Sequence, residues 1–484
     1  MRDDGGVSRT APVPAARARL CVLVLVLSAC TATGPDYRRP DLPVPATFRH
    51  AIDAPPGWKF AEPALPGTES AWWRGYQDHT LEALVAAAEP ANQSLQVAAA
   101  RVARARALLG SAGAAAGPAL DANAAITRSR VAGGADINRF RIGVDAAWEP
   151  DLWGRQANAV AAGRAELAAS EADLAAARLA IHAQLVRSYF RLRADDALRR
   201  LLETTVDAYQ QSLRVTRNRY DAGVVPRSDV SQAQTQLRTT QVQLIEVGIS
   251  RTQTLNAIAT LLGRAPAELT IERDDRLPAP PTVPLSLPSE LLERRPDIAA
   301  AERRVAAANA RVGFAQAAWY PTITLGAGAG TQGTRVADLF ALPNRFWSLG
   351  PALLASLFDG GARDARLDEA LAIYDEAVAD YRQTVLDAFR DVEDALVARR
   401  MLDVQVAIQQ RAERAAADAL EQVSNQYQAG TVSFLNLLTA QTALLAARRA
   451  LVDLRARLVD ASVQLTVAAG GGWRQMPPES GRTR

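Results

Sequence analysis

Cysteine, methionine and histidine are scarce in this chain of 484 residues, with two, three and three copies. His50, His79 and His182 lie far apart with no ligand-like spacing, so no metal centre is expected. Two of the methionines are Met1 and Met476, close to the ends, which leaves no methionine ladder for copper. Only Cys21 and Cys30 exist, and a disulfide-built scaffold is excluded. The formal net charge is +3 with no dense Lys/Arg block, so no nucleic-acid partner is expected. There is no GxSxG elbow, phosphate-binding loop or dinucleotide fingerprint, and the expectation is a protein that is not an enzyme and holds no cofactor. No apolar run reaches the roughly 20 residues of a membrane-spanning helix. The 49% hydrophobic content still suffices for a substantial core.

The apolar run that does exist is LCVLVLVL. It follows Arg2, Arg9, Arg17 and Arg19 and precedes SAC, which makes residues 1–29 an export signal. Leu27-Ser28-Ala29-Cys30 resembles the lipobox of bacterial lipoproteins. That resemblance implies cleavage before Cys30, acylation of its sulfur and, because Thr31 replaces the aspartate of inner-membrane retention, an outer-membrane address. An ordinary secretory signal with a chance cysteine is the alternative. Residues 30–79, with RRPDLPVPA and DAPPGW, read as an extended tether because proline fixes φ and removes donors.

Beyond the tether the chain states one programme twice. RYDAGVVPRSDVSQAQT at 219–235 returns as QYQAGTVSFLNLLTAQT at 426–442, with Gly223 and Gly430 207 positions apart (430 − 223). Residues 80–119 read as helix, interrupted or entered at Pro90. RFRIGVDAAW alternates with period two: Phe140, Ile142, Val144, Ala146 and Trp148 on one face, Arg141, Gly143 and Asp145 on the other. With the weaker strand LDANAAITRSR it forms a hairpin over 120–150. Residues 155–263 are a long helix, a turn at Gly223 and a return helix capped by Ser228 or Asp229. A proline-rich linker occupies 264–289. The second half then gives a helix over 290–320, a hairpin over 321–358, a long helix, tip turn and return helix over 362–470, and a tail over 471–484.

Strands of about ten residues suit a tilted bilayer crossing. Lipid tolerates only closed barrels, and four strands are too few to close around a lumen, so several copies must share one barrel. Phe140, Ile142, Val144 and Trp148 would face lipid, and Arg141 and Asp145 a watery interior. A small soluble sheet with one face on a core fits the alternation of any single strand as well. A rod of roughly 100 Å beneath each hairpin, rich in alanine and edged with polar residues, suits a hollow helical cylinder; a solid coiled coil is the other packing. A periplasm-spanning scaffold lipoprotein without a pore is the competing function.

The motifs SACTATGPDYRRP, SAWWRGYQD, WEPDLWGR, RYDAGVVPRSDVSQAQT, ERRPDIAAAERRVAAANARVGFAQAAWYPTITL, SLFDGG and QYQAGTVSFLNLLTAQ together resemble the outer-membrane factors of bacterial tripartite efflux systems, TolC-like and NodT-type. The resemblance implies a mainly α fold with membrane β. A homotrimer would build a 12-stranded outer-membrane β-barrel, four strands per protomer, continuous with a long periplasmic α-helical barrel. It also implies a passive conduit for small molecules, with partners in a periplasmic membrane-fusion adaptor, an inner-membrane pump of the RND type and outer-membrane lipid. Gly223, Val224, Val225, Gly430, Thr431 and Val432 would form adaptor-facing tips. In the family a tyrosine, an aspartate, an arginine and acidic rings hold the tip closed, and Tyr427, Asp229 and Gln232 stand at matching positions. The arginine position carries Val432 and the acidic-ring positions carry Asn436 and Thr439. The resemblance therefore leaves a gate resting on Asp229 with hydrophobic rings from Leu435 or Leu438, and for Asp229 a helix N-cap is the alternative.

Overall fold

A computed structural model describes residues 34–42, 71–130, 132–281 and 295–471. The export signal, Cys30, most of the tether, part of the linker and the tail beyond 471 lie outside the described residues. The element order is α1 (His79–Ala91), α2 (Gln93–Ala115), β1 (Ala119–Ser129), β2 (Ile137–Trp148), α3 (Arg155–Asp221), α4 (Arg227–Leu261), α5 (Pro296–Ala317), β3 (Thr322–Gly333), β4 (Arg345–Leu354), α6 (Ala362–Gln428) and α7 (Phe434–Ala468). Among the described residues no helix is long and apolar enough to cross a membrane. The chain divides into two compact units.

The first unit (1–40, 103–168 and 302–379) holds one antiparallel sheet with the strands in chain order, β1-β2-β3-β4. The fourth strand stops at Leu354, short of the 358 expected from the apolar run. Leu354 pairs with Thr322, and the residue before Thr322 is Pro321, which has no N–H to extend the ladder. Asp359 then turns to the next helix, accepting from the backbone N–H groups of Gly361 (3.1 Å) and Arg363 (3.2 Å). Asp151 starts α3 in the same way, accepting from Ala157 N–H at 2.7 Å. Trp153 Nε1 donates to the Pro321 carbonyl at 2.7 Å and its ring stacks on Tyr320 at 5.0 Å. These contacts account for the WEPDLWGR and SLFDGG motifs. The described stretch 34–42 is tied here too: Asn309 donates to the Pro35 carbonyl (2.8 Å) and the Tyr37 hydroxyl donates to Glu302.

The second unit (41–102, 169–301 and 380–484) is helical. The helix expected over 80–119 is two helices, because Asn92 interrupts it. Its Oδ1 accepts from Leu95 N–H (3.1 Å), capping α2, while its Nδ2 donates to the Leu261 carbonyl (2.8 Å). Pro90 sits inside α1 without breaking it. Gly263 ends the neighbouring helix at φ +64°, and a Cβ there would lie 2.3 Å from the Ala91 carbonyl oxygen, so the junction needs glycine twice over. The return helix α4 begins at Pro226, which has extended backbone and no side-chain cap. Ser228 and Asp229 lie within its first turn, which corrects their expected role as caps. Proline presets the entry φ, and Asp229 still favours the helix through the positive end of its dipole.

Among the described residues two large apolar clusters, with smaller ones beside them, hold this unit. One gathers Tyr76, Leu81, Val85, Leu185, Tyr189, Phe190, Ile258, Leu262 and Val463. The other lies nearer the turns and is treated below. Between them, Asp196 pairs with Arg251 at 2.6 Å and accepts from Asp274 N–H at 3.3 Å, and Arg251 donates to the Ile271 carbonyl. These bonds strap the segment after α4 to the rod. Burial pushes the adjacent Asp195 carboxyl above its ordinary range, against the pull of Arg191 and of hydrogen bonds from Ser250 and Thr254.

Candidate functional site: two helix turns and a two-faced sheet

Both long helices are 67 residues and end alike. At the first, Val224 N–H bonds to the Arg219 carbonyl (2.8 Å) and Gly223 N–H to Tyr220 (2.9 Å). At the second, Thr431 N–H bonds to Gln426 and Gly430 N–H to Tyr427, each at 3.0 Å. These are Schellman motifs, and Gly223 (φ +75°) and Gly430 (φ +78°) supply the left-handed residue each requires. Val224 and Thr431 are exposed at the turns; Val225 and Val432 are half-buried, with Val432 packed against the core beneath.

That core contains Leu202, Val206, Tyr209, Leu213, Ala233, Leu237, Tyr427, Phe434 and Leu437, with Leu438 at its margin. Tyr427 is 3% exposed and meets Phe434 edge to face at 5.9 Å. Its hydroxyl lies 3.4 Å from Thr216 Oγ1. Asp229, at the matching latch position, is half-buried and close to Ser228, and the hydroxyl contact found for Tyr427 goes to Thr216 instead. Gln232, Leu435, Asn436 and Thr439 are exposed, and the Thr439 hydroxyl bonds back to the Leu435 carbonyl. Of the candidate gate residues the protomer therefore brings together Tyr427 and Leu438, and leaves Gln232, Leu435, Asn436 and Thr439 facing outward.

Arg219 is the residue that sequence reasoning missed. Its two guanidinium nitrogens donate to the carbonyls of Tyr427 and Gln428, each at 2.8 Å, and its plane lies 4.5 Å from the Tyr427 ring centre. It thereby satisfies the Gln428 carbonyl, adds a second bond to the Tyr427 carbonyl that already accepts from Gly430 N–H, and places positive charge at the negative end of α6. The available signal was a cation one residue before the first tyrosine, where the repeat has Gln426.

The sheet sorts its side chains by register. Ile142 stands opposite Ala124 and Thr331, Val144 opposite Ala122 and Ala329, and Trp148 opposite Leu325; Ala329 and Ala327 in turn face Trp347 and Leu349. Directly opposed residues share a face, so Ile142, Val144, Trp148, Leu325, Trp347 and Leu349 form one apolar surface, and all are exposed. The other surface carries Asp121, Asn123, Arg141, Asp145, Gln332 and Ser348. On it Asn123 donates to Asp145, and Arg141 lies 4.7 Å from the Phe346 ring centre. Phe346 fits because its neighbours across the sheet are Gly330 and Gly143: a Cβ at Gly330 would stand 3.0 Å from the ring and 2.3 Å from the Ile142 carbonyl oxygen. An exposed apolar face behind a polar one inverts the arrangement of a water-soluble sheet and suits a wall between lipid and water.

The outer membrane efflux protein profile matches residues 84–264 and again 287–471, one match to each half of the repeat. The toluene efflux pump outer membrane protein TtgC of Pseudomonas putida is 31% identical over 468 residues, 94% of this chain and 95% of that protein. The pyoverdine export outer membrane protein OpmQ of Pseudomonas aeruginosa is 33% identical over 466 residues, 93% and 95% of the two chains. Among solved structures, the outer-membrane channel OprN superposes with a TM-score of 0.84 at 33% identity, covering 91% of this chain and 99% of its own. CusC does so at 0.81 and 28%, covering 91% and 100%. The repeated turns, the paired rods and the lipid-suited sheet are thus those of an outer-membrane efflux channel, and the chain belongs to the outer membrane efflux protein family.

Proposed function

We propose that three copies of this chain assemble into a passive conduit, the outer-membrane stage of a tripartite efflux system, with the lipid-modified Cys30 as anchor. The observation that carries this reading is the sheet: its apolar face is exposed, and its outer strands β1 and β4 have open edges among the described residues. Unpaired edges in lipid cost several kcal/mol per backbone group, so each edge needs the edge of another copy. Three four-stranded sheets close as twelve strands. The turns at Gly223–Val225 and Gly430–Val432 then meet a periplasmic adaptor, and through it an RND-type inner-membrane pump that supplies the energy. Tyr427 braces the tip from within its own protomer, and no chemistry is performed on the exported small molecule.

Native mass spectrometry of the protein extracted from outer membranes tests the assembly, and planar-bilayer recording tests the pore. A lipid-modified trimer that conducts supports the conduit. A stable monomer, or a trimer without conductance, favours a periplasmic scaffold instead.

A further inference from the structure

The helical unit leaves two runs of large apolar side chains uncovered. Val242, Ile245 and Ile249 form one stripe on α4, and Met401, Val404 and Ile408 form another on α6; all six are between 49% and 67% exposed. Spacings of three and four put each set on one helix face. Helix α7 stands between them in the protomer. Arg449 of α7 donates to Gln243 of α4 at 3.1 Å, while the Ala447 carbonyl accepts from Gln409 of α6 at 3.0 Å and Arg448 pairs with Glu413 at 2.9 Å. The two stripes therefore do not cover each other within one copy.

Their levels along the rods match. The two turns are in step, because Arg219 bonds the carbonyls of Tyr427 and Gln428 across them. Counted from the first residue of α4, Arg227, and the last of α6, Gln428, Ile249 stands 22 residues up α4 (249 − 227) and Ile408 stands 20 residues up α6 (428 − 408), level to within two residues at roughly 30 Å along the rods. Charges match within the same tolerance. Glu246 at 19 (246 − 227) lies within two residues of Arg411 at 17 (428 − 411), and Arg238 at 11 (238 − 227) is level with Asp418 at 10 (428 − 418). Glu246, Arg411 and Asp418 have no ion pair among the described residues, and Arg238 bonds only the neutral Gln241. One stripe thus presents apolar, acidic and basic groups where the other presents apolar, basic and acidic ones.

We propose that in the assembled channel α4 of each copy packs along α6 of the next, with Ile249 against Ile408, Glu246 beside Arg411 and Arg238 beside Asp418. This seam rests on the trimeric reading above. It joins unlike surfaces, so it closes into a ring only by repeating around a rotation axis. A mismatch of one heptad would bring Ile249 to Met401 and separate both charge pairs.

Cysteine cross-linking in the full-length chain tests the register, since Cys21 and Cys30 are the only natural cysteines. The double variant Ile249→Cys/Ile408→Cys, oxidised in outer membranes, is expected to run mostly as a covalent trimer on a non-reducing gel. The variant Ile249→Cys/Met401→Cys, displaced by about 10 Å along the rod, is expected to stay monomeric on the same gel. Because cysteines in an apolar seam could hinder assembly, charge reversal provides a second readout. Glu246→Arg should lower the trimer fraction in native mass spectrometry, and adding Arg411→Glu should restore it. A native trimer that neither cross-links at the matched pair nor responds to reversal overturns the seam while leaving the conduit intact. Preferential linking of the displaced pair overturns the register. Absence of a trimer in the unmodified protein overturns the conduit reading itself.

Discussion

The two turns share a backbone and differ in what stands on it. Tyr220 and Tyr427 occupy the same place in the repeat, each three residues before the glycine whose N–H bonds its carbonyl, yet Tyr220 is 41% exposed and Tyr427 is 3% exposed. Two of the differences between the halves bear on this. Phe434 stands where the first half has Arg227, and Arg219 stands where the second half has Gln426. The phenylalanine supplies an aromatic wall for Tyr427, and the arginine reaches across from the first turn to cap the second. Duplication preserved the turn, while side-chain divergence made one tip a brace and left the other open. A channel tip that must be stable and also move benefits from such unequal halves, because local opening is drawn from the less packed side.

The largest test of this contrast removes the aromatic wall. Phe434→Ala deletes a buried ring and is expected to lower the local stability of the second turn by about 3–5 kcal/mol, read as faster amide exchange across residues 420–445 of the detergent-solubilised channel. Arg227→Ala, the equivalent change in the first half, should stay within about 0.5 kcal/mol, since Arg227 is exposed. Equal effects at the two positions would refute the asymmetry.

Next in size is the cross-turn cap. Arg219→Ala removes two charge-assisted hydrogen bonds and a ring contact, with an expected loss of about 2 kcal/mol at the second turn, partly recovered in Arg219→Lys. Gln426→Ala should change little. This pair also marks the limit of what the sequence disclosed. The turns, the rods and the alternating strands were legible because each is written locally: glycine before a proline or serine, long stretches without breakers, period-two patterns. Arg219, Asn92 and Phe346 were not, because each meets a partner brought near by the fold from far along the chain: carbonyls for Arg219 and Asn92, the Arg141 guanidinium for Phe346. The gate suffered for the same reason. Asp229 and Tyr427 both sit at latch positions in the sequence, but the hydroxyl contact found for Tyr427 goes to Thr216, on the end of the opposite rod.

The shared backbone makes a prediction of equality. Gly223→Ala and Gly430→Ala each force a Cβ into left-handed backbone where no neighbouring atom lies within 4 Å, so the cost is conformational alone, about 1 kcal/mol, and the same at both turns. Thermal unfolding midpoints that differ between the two variants would show that the turns are not equivalent even in the main chain.

The smallest expected effect separates two meanings of Tyr427. Its ring is packed against Phe434 and lies beneath Arg219, while its hydroxyl has a single long contact to a threonine whose own hydroxyl already bonds the Ser212 carbonyl at 2.9 Å. If the ring carries the tip, Tyr427→Phe keeps the packing and costs about 0.5 kcal/mol or less, with the closed-state conductance in a planar bilayer unchanged. Tyr427→Ala then opens the tip, because it removes both the partner of Phe434 and the surface on which Arg219 lies. If the hydroxyl were the latch, the two variants would open the channel alike. The ratio of their conductances therefore decides whether this tip is held by a hydrogen bond or, as the buried ring and the carbonyl-bound arginine argue, by packing.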